Sequence, residues 1–471
     1  MLRVSPIENW IFQRTGARNL TELREYQLGK LKETFDYAKS RSRFYRRYLS
    51  GIESADITCL DDLSAVPFTT GEMISQAPND FLCVSPGDIE RIVTLPTSGT
   101  TGTPKRIFFT KDDQELTIDF FHHGMNTLVG QGDRVILFLP GASEGGVGDL
   151  LARGLKRLGC QSDIFGPVDD YAAAGSAILE GGYDCAVGLP AQLFAISKLF
   201  GDINLKSILL CSDYTAGSLA RSLADSWGCD VYSHYGMIES GLGGGVECAA
   251  HAGYHMREAD LLFEVVDPVS GKPVADGEYG ELVFTTLTRR GMPLIRYRTD
   301  DISRVIPEPC PCGSVLRRFE PVGGRYGDMI RLGEGQGAPS HPMRRYDEER
   351  GVLSQSMRGN GERQDGLSQA RRRHDEEQGV LSLPMIDDVL FGLPGLIGYE
   401  AEVINDADCG KLVIKVYSND DDICNHVIDA INGDVRLSVI IRGSMIGLNV
   451  AHGGFEVLTY GNTKRRIAIR R

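Results

Sequence analysis

Nine consecutive residues, Thr97-Ser98-Gly99-Thr100-Thr101-Gly102-Thr103-Pro104-Lys105, have the composition of a loop that holds the phosphates of ATP. Gly99 and Gly102 let backbone N–H groups approach an anion without an intervening Cβ. The hydroxyls of Thr97, Ser98, Thr100, Thr101 and Thr103 add donors, and Lys105 adds positive charge. The run lies between Arg91-Ile92-Val93-Thr94-Leu95 and Ile107-Phe108-Phe109, two apolar stretches that read as strands. A turn between strands is distinct from a Walker P-loop, in which Gly-x4-Gly-Lys-Ser/Thr opens a helix.

A second cluster pairs Cys248-x2-His251-x3-His255 with Cys310-Pro311-Cys312-Gly313. Two pairs of soft or borderline ligands suit tetrahedral Zn2+, with Cys248, His251, Cys310 and Cys312 as the set and His255 as the alternative to His251. Four protein ligands leave no open position, so such a metal would be structural.

These groups need a scaffold, and 471 residues suggest one large domain and at least one smaller one. The net charge of −14 argues against general binding to nucleic acid or anionic membrane, despite local arginines near Arg344 and Arg371. The sequence has no apolar run of membrane-spanning length, and Met1–Pro6 lacks a signal-like core, so a cytoplasmic protein is expected. Its 11 cysteines, mostly scattered singly in apolar segments such as those of Cys160, Cys185 and Cys211, fit reduced thiols.

Apolar positions at helical spacing predict an amphipathic helix from Thr21 to Leu49. Between Asp133 and Tyr235 short apolar runs alternate with helical stretches, the pattern of βαβ units around a parallel sheet. Strands dominate from Leu261, among them Leu262–Val266, Glu281–Thr286 and Ile295–Tyr297. The expected fold is therefore α/β: a large N-terminal domain over 1–323, with parallel sheets, helices and a β-rich subdomain, and a small α+β domain over 324–471. In the latter, Tyr399–Ile404, Lys411–Tyr417, Arg436–Ile441 and Phe455–Tyr460 read as strands and Asp422–Ile431 as a helix. A segment at about 335–379, rich in Arg, Glu, Gly and Ser, is expected to be disordered. It contains Asp347–Ser354, which recurs as Asp375–Ser382 and reads as a duplicated insertion in a surface loop.

With the opening loop, Tyr235-Gly236-Met237-Ile238-Glu239, Tyr297-Arg298-Thr299-Asp300-Asp301, Gly324-Arg325-Tyr326-Gly327-Asp328 and Gly461-Asn462-Thr463-Lys464 follow in order. This series resembles the phenylacetate–CoA ligase-like branch of the adenylate-forming superfamily over nearly the whole chain, the insertion excepted. The resemblance implies ATP, Mg2+ and CoA as cofactors, a small carboxylic acid as substrate, a mobile C-terminal domain and homodimerisation. It assigns nucleotide contacts to Thr97–Gly102, Lys105, Ser212, Asp213, Tyr235, Gly236, Met237, Asp301 and Arg325. Glu239 would hold Mg2+, Asp301 would accept hydrogen bonds from the ribose hydroxyls, and Tyr235 would flank adenine. Asp328 would mark the hinge, and Lys464 would stabilise charge as the acyl adenylate forms. The branch also has a Cys/His cluster at the position of the second group.

Three positions depart from the family pattern. Asp300 and Thr463 stand where glycine is usual, and Cys211-Ser212-Asp213-Tyr214 replaces a Gly-Glu-containing adenine loop. The implied function is an ATP-dependent acid–CoA ligase working through an acyl adenylate, with an acid pocket lined by Leu139–Gly146, Ser233-His234 and Gly241–Gly245. One alternative is an adenylate-forming enzyme with another acceptor: an amine, a carrier-protein thiol or a deazaflavin hydroxyl. The other is a non-catalytic nucleotide or acyl-adenylate binder.

Overall fold

The computed structural model describes residues 4–95, 104–331, 380–405, 410–443, 447–453 and 465–470. Helices α1 (Pro6–Thr15), α2 (Leu20–Arg41) and α3 (Arg43–Tyr48) open the chain. The single helix expected over Thr21–Leu49 is broken at Ser42. Its extended backbone ends α2, its hydroxyl accepts the Tyr45 N–H at 3.2 Å to cap α3, and the same hydroxyl donates to the Asp80 carbonyl at 2.7 Å.

Helix α4 (Gly71–Gln76) leads to strands β1 (Ile89–Leu95) and β2 (Lys105–Thr110), an antiparallel pair with Leu95 opposite Lys105. Thr97, Ser98, Gly99, Thr100, Thr101 and Gly102 lie outside the described residues. Helix α5 (Lys111–Met125) follows at once, its start fixed by a reciprocal cap: the Asp113 N–H bonds Thr110 Oγ1 at 3.1 Å, and the Thr110 N–H bonds Asp113 Oδ2 at 3.0 Å.

The alternating region forms β3 (Arg134–Leu137), α6 (Val147–Leu158), β4 (Gln161–Ile164), α7 (Tyr171–Gly181), β5 (Cys185–Gly188), α8 (Pro190–Leu199), β6 (Ser207–Leu210), α9 (Gly217–Trp227) and β7 (Asp230–Tyr235). Strands β4, β3, β5, β6 and β7 are parallel neighbours. Both β5 and β6 are buried along their whole length, as parallel strands covered on both faces require. Antiparallel strands β8 (Gly245–Glu247) and β9 (Tyr254–Met256) extend this sheet beyond β7.

Strands β10 (Leu261–Val266), β11 (Gly280–Thr286) and β12 (Tyr297–Ser303) make a separate antiparallel sheet. Strands β13 (Val305–Ile306) and β14 (Arg318–Phe319) then return to the edge of the first sheet beside β9, which has nine strands among the described residues. The α/β expectation holds. The strand expected at Ile295–Tyr297 instead begins at Tyr297, because Arg296 has φ 48°. The buried Arg296 is anchored to Glu264 at 2.8 and 3.1 Å and to the Val66 carbonyl at 2.6 Å.

The chain separates into two compact units, 1–215 with 223–323 and 216–222 with 324–471. In the second, β15 (Ile330–Arg331) pairs antiparallel with β16 (Val380–Leu381), so the described ends of the chain on either side of 332–379 are hydrogen-bonded neighbours. Four strands follow, β17 (Leu396–Asn405), β18 (Gly410–Ser418), β19 (Gly447–Gly453) and β20 (Ala468–Arg470), in the order β19-β18-β17-β20, with helices at Leu383–Leu390, Ile423–Gly433 and Val435–Gly443.

The strand expected at Arg436–Ile441 is thus a helix. Leu437, Ile440 and Ile441 are buried at helical spacing while Val435 and Val439 are exposed, and Asp434 Oδ1 caps the start by accepting the Leu437 N–H at 3.0 Å. Phe455–Tyr460 lies outside the described residues.

Candidate active site

In open α/β sheets ligands bind beyond the carboxyl ends of the parallel strands, and three of the expected segments leave the sheet there. Ser212 and Asp213 follow β6, Gly236 and Met237 follow β7, and Leu139–Gly146 follows β3. After β7 the chain turns into a short 3-10 helix, Ile238–Ser240. Ser240 Oγ closes this turn, accepting the Met237 N–H at 3.2 Å and donating to the Met237 carbonyl at 2.9 Å, and Gly241 ends it at φ 80°. The turn fixes Glu239 in a buried position.

Lys105, at the first residue of β2, forms an ion pair with Glu239 Oε1. Tyr297 OH donates to the same oxygen at 3.0 Å, and Lys105 Nζ lies 3.2 Å from Tyr297 OH. Burial opposes ionisation of Glu239, but the Lys105 charge and the hydrogen bonds from Lys105 and Tyr297 outweigh it and hold the carboxyl below its ordinary range. Arg289 Nη1 donates to the Glu239 carbonyl at 2.7 Å. The site is therefore an ionised carboxylate held by a lysine and a tyrosine, with its backbone carbonyl fixed by a buried arginine, next to the end of the phosphate-type loop.

Tyr235 is buried at the end of β7 and its OH donates to Asp301 Oδ2 at 3.0 Å. Asp301 lies on β12, fully buried, with its N–H on Thr299 Oγ1 at 3.0 Å. This contact ties the large sheet to the smaller one and leaves Asp301 an acceptor within a strand, not a turn cap. The preceding Asp300 has φ 64° and Ser212 has φ 70°, the left-handed region that glycine occupies most easily. Asp and Ser therefore carry a backbone strain at those two positions.

Arg325 and Asp328 open the second unit around the short 3-10 turn Tyr326–Asp328, and Arg466 Nε lies 3.7 Å from Asp328 Oδ2. Lys464 lies outside the described residues. The next residue, Arg465, is fixed within that unit: Nη2 bonds Asp387 Oδ1 at 2.7 Å, and the guanidinium lies 5.0 and 4.9 Å from the ring centroids of Phe391 and Tyr399.

The Cys/His group assembles with one change of member. Cys248, His255, Cys310 and Cys312 are all buried, with one ligand atom of each inside a 4.8 Å cluster. His255 sits on β9, whose pairing with β14 brings it beside the loop carrying Cys310 and Cys312. His251 does not join them: its backbone has φ 46°, its ring packs on Tyr232 at 4.5 Å, and Nδ1 lies 3.9 Å from Glu247 Oε2. The Cys248–Cys310 sulfur separation is 3.6 Å. Zn–S bonds of about 2.3 Å in a tetrahedron would place two sulfurs about 3.8 Å apart. His255 Nε2 lies 3.7 Å from Cys312 Sγ, and burial keeps the ring neutral, with its pKa down to about 4. The donor set fits zinc.

His122 and His123 pack on each other on α5, ring centroids 4.4 Å apart. His123 stacks on Trp10 at 5.7 Å and lies 3.6 Å from Asp119, whose carboxylate also takes the Trp10 N–H at 2.8 Å. Sequence reasoning missed Tyr297 OH and Arg289 as partners of Glu239. The only available signals were the tyrosine at the head of the Asp301 segment and an arginine in the apolar-flanked Thr288-Arg289-Arg290-Gly291 run.

Residues 83–287 match the family described as AMP-binding enzyme. The phenylacetate–coenzyme A ligase of Thermus thermophilus is 30% identical over 329 residues, covering 66% of this chain and 72% of that protein. That of Escherichia coli strain K12 is 28% identical over 328 residues, covering 66% and 73%. The crystal structure of 2-hydroxyisobutyryl-CoA ligase in the postadenylation state, in complex with 2-HIB-AMP, has a TM-score of 0.75 at 18% identity, covering 98% of this chain and 91% of that one. At that identity the likeness is one of fold, and together with the family match it defines the class as AMP-binding, adenylate-forming enzymes. Within that class the chain belongs to the phenylacetate–CoA ligase family.

Proposed function

We propose that this chain is an AMP-forming acid–CoA ligase that activates an aromatic or arylacetic acid in two steps. In the first, a carboxylate oxygen of the acid attacks the α-phosphorus of ATP, forming the acyl adenylate and releasing pyrophosphate. In the second, the CoA thiolate attacks the acyl carbon, forming the thioester and releasing AMP. The observation that carries this reading is the Lys105–Glu239–Tyr297 cluster beside the buried Tyr235–Asp301 pair.

In that reading the nucleotide's phosphates draw Lys105 away from Glu239. Tyr297 keeps the freed carboxylate in place, and Asp301 accepts the ribose hydroxyls. Glu239 would then hold Mg2+, which neutralises charge on the leaving pyrophosphate; a single carboxylate with phosphate oxygens is a usual ligand set for this ion. Arg325 contacts the nucleotide, and Lys464 stabilises the charge that develops at the α-phosphate. Cys248, His255, Cys310 and Cys312 hold a structural Zn2+. The cytoplasmic setting and the homodimer implied by the resemblance belong to the same reading. Product analysis by mass spectrometry tests it: with Mg-ATP and arylacetic acids, acyl-AMP should form without CoA and convert to acyl-CoA when CoA is added. Adenylate that passes to an amine and never to CoA would replace the ligase by the other-acceptor enzyme.

A further inference from the structure

His234 is the last residue but one of β7, and alternation along a strand sends its side chain to the face opposite Tyr235. On that face it meets α5: the imidazole centroid lies 6.1 Å from the Phe120 ring and 6.2 Å from the Phe121 ring. The backbone of the 236–245 turn closes over it. A Cβ at Gly236 would come within 2.8 Å of His234 Cε1 and 2.2 Å of the Leu242 carbonyl oxygen, and one at Gly243 within 2.3 Å of Phe120. Leu139, Leu242 and Val246 belong to the same apolar cluster as Phe120 and Phe121.

Among the described residues His234 Nε2 is enclosed and has no hydrogen-bond partner. Buried polar side-chain atoms are rarely left unpaired, and such a group is costly in an apolar surround. Burial also keeps this ring neutral, its pKa down to about 4, so it can serve as donor or acceptor without carrying charge. The orphan nitrogen lies one residue before Tyr235-Gly236-Met237, at the strand end where ligands of this sheet type bind.

We propose that His234 is a specificity residue whose Nε2 hydrogen-bonds a polar substituent of the acid, so that the enzyme prefers aromatic acids bearing a ring hydroxyl or amino group over the unsubstituted acid. This rests on the ligase reading above. A site built to pair with such a substituent rejects the analogue that lacks it, because its own polar group is then left unsatisfied.

The test compares phenylacetate with its 2-, 3- and 4-hydroxy and amino derivatives in the wild-type chain, His234→Phe and His234→Gln. It reads kcat/KM from acid-dependent pyrophosphate release and affinity from calorimetry. In the wild type at least one substituted acid should exceed phenylacetate by about tenfold or more, the worth of one hydrogen bond to a buried partner. In His234→Phe that ratio should fall to within about twofold of unity with KM for ATP unchanged, and His234→Gln, which keeps a donor and an acceptor, should retain part of it. A wild-type ratio near unity, or the same ratio in all three proteins, overturns the proposal while leaving turnover to support the ligase. A His234-dependent binding ratio without turnover on any acid supports the proposal and overturns the ligase reading; absence of both binding and turnover overturns both.

Discussion

Replacing Tyr297 by Phe removes one oxygen and leaves the ring, which is only 2% exposed and packs on Phe284 at a centroid distance of 5.4 Å. The lost atom donates to Glu239 Oε1 at 3.0 Å and lies 3.2 Å from Lys105 Nζ. A hydrogen bond to a charged group contributes about 1.5–3 kcal/mol, or about 10- to 150-fold in an equilibrium or rate. In the free enzyme Lys105 still holds Glu239, so the fold should lose only part of this, about 1 kcal/mol by denaturant titration. Once ATP phosphates engage Lys105, Tyr297 is the remaining side-chain donor among the described residues that aims the carboxylate. Tyr297→Phe should therefore lower kcat/KM for Mg-ATP by about 10- to 100-fold and raise the Mg2+ concentration needed for half-maximal rate, with KM for the acid unchanged. Pyrophosphate release at saturating acid, titrated in Mg-ATP and then in Mg2+, measures both. A folded variant whose kcat/KM and Mg2+ dependence stay within twofold of wild type would refute the assignment of Tyr297 as the residue that positions Glu239.

Lys464→Ala should abolish adenylation while leaving thioester formation from supplied acyl-AMP largely intact; equal loss of both half-reactions removes Lys464 from that role. Metal analysis should find one zinc per chain, lost with a lower melting temperature in Cys310→Ser and retained in His251→Ala; zinc loss in the latter would restore His251 to the ligand set. Among the described residues Glu258 is buried with Oε2 unpartnered, and burial pushes its carboxyl up to about 7. An elevated carboxyl costs the native state nothing below the unfolded pKa of about 4.5, and the penalty grows as pH rises towards 7. Glu258→Gln should thus be more stable than wild type at pH 8, by up to about 3 kcal/mol, with the difference vanishing near pH 4. Denaturation midpoints that move in parallel with pH in both proteins would contradict this.

Much of the architecture was legible because it follows from local pattern. The alternation after Asp133 marks parallel strands buried on both faces, and strands β1 and β2 flank the glycine- and hydroxyl-rich run where the apolar stretches predict them. Misreadings arose where tertiary contacts overrode propensity. The run Arg436–Ile441, which ends in β-branched Val439, Ile440 and Ile441, reads as a strand until Asp434 caps it and a helical stripe of Leu437, Ile440 and Ile441 is buried. Ser42 splits one helical period into two because its hydroxyl also bonds Asp80 from a separate segment.

In the site, Lys105, Glu239, Tyr235 and Asp301 could be picked out by motif, but the pairing of Lys105 with Glu239 and the partners Tyr297 and Arg289 could not, since the three reach Glu239 across 134, 58 and 50 residues of sequence. The choice between His251 and His255 was equally invisible. Both spacings allow a ligand, and only the pairing of β9 with β14 brings His255 to the two cysteines.

The most direct test of the central claim is exchange of labelled pyrophosphate into ATP, measured with Mg2+ and without CoA across aryl, arylacetic and short aliphatic acids. Exchange should require an aryl or arylacetic acid and disappear in Glu239→Gln. ATP binding with no acid-dependent exchange on any member of the panel would contradict it and make the chain a nucleotide binder.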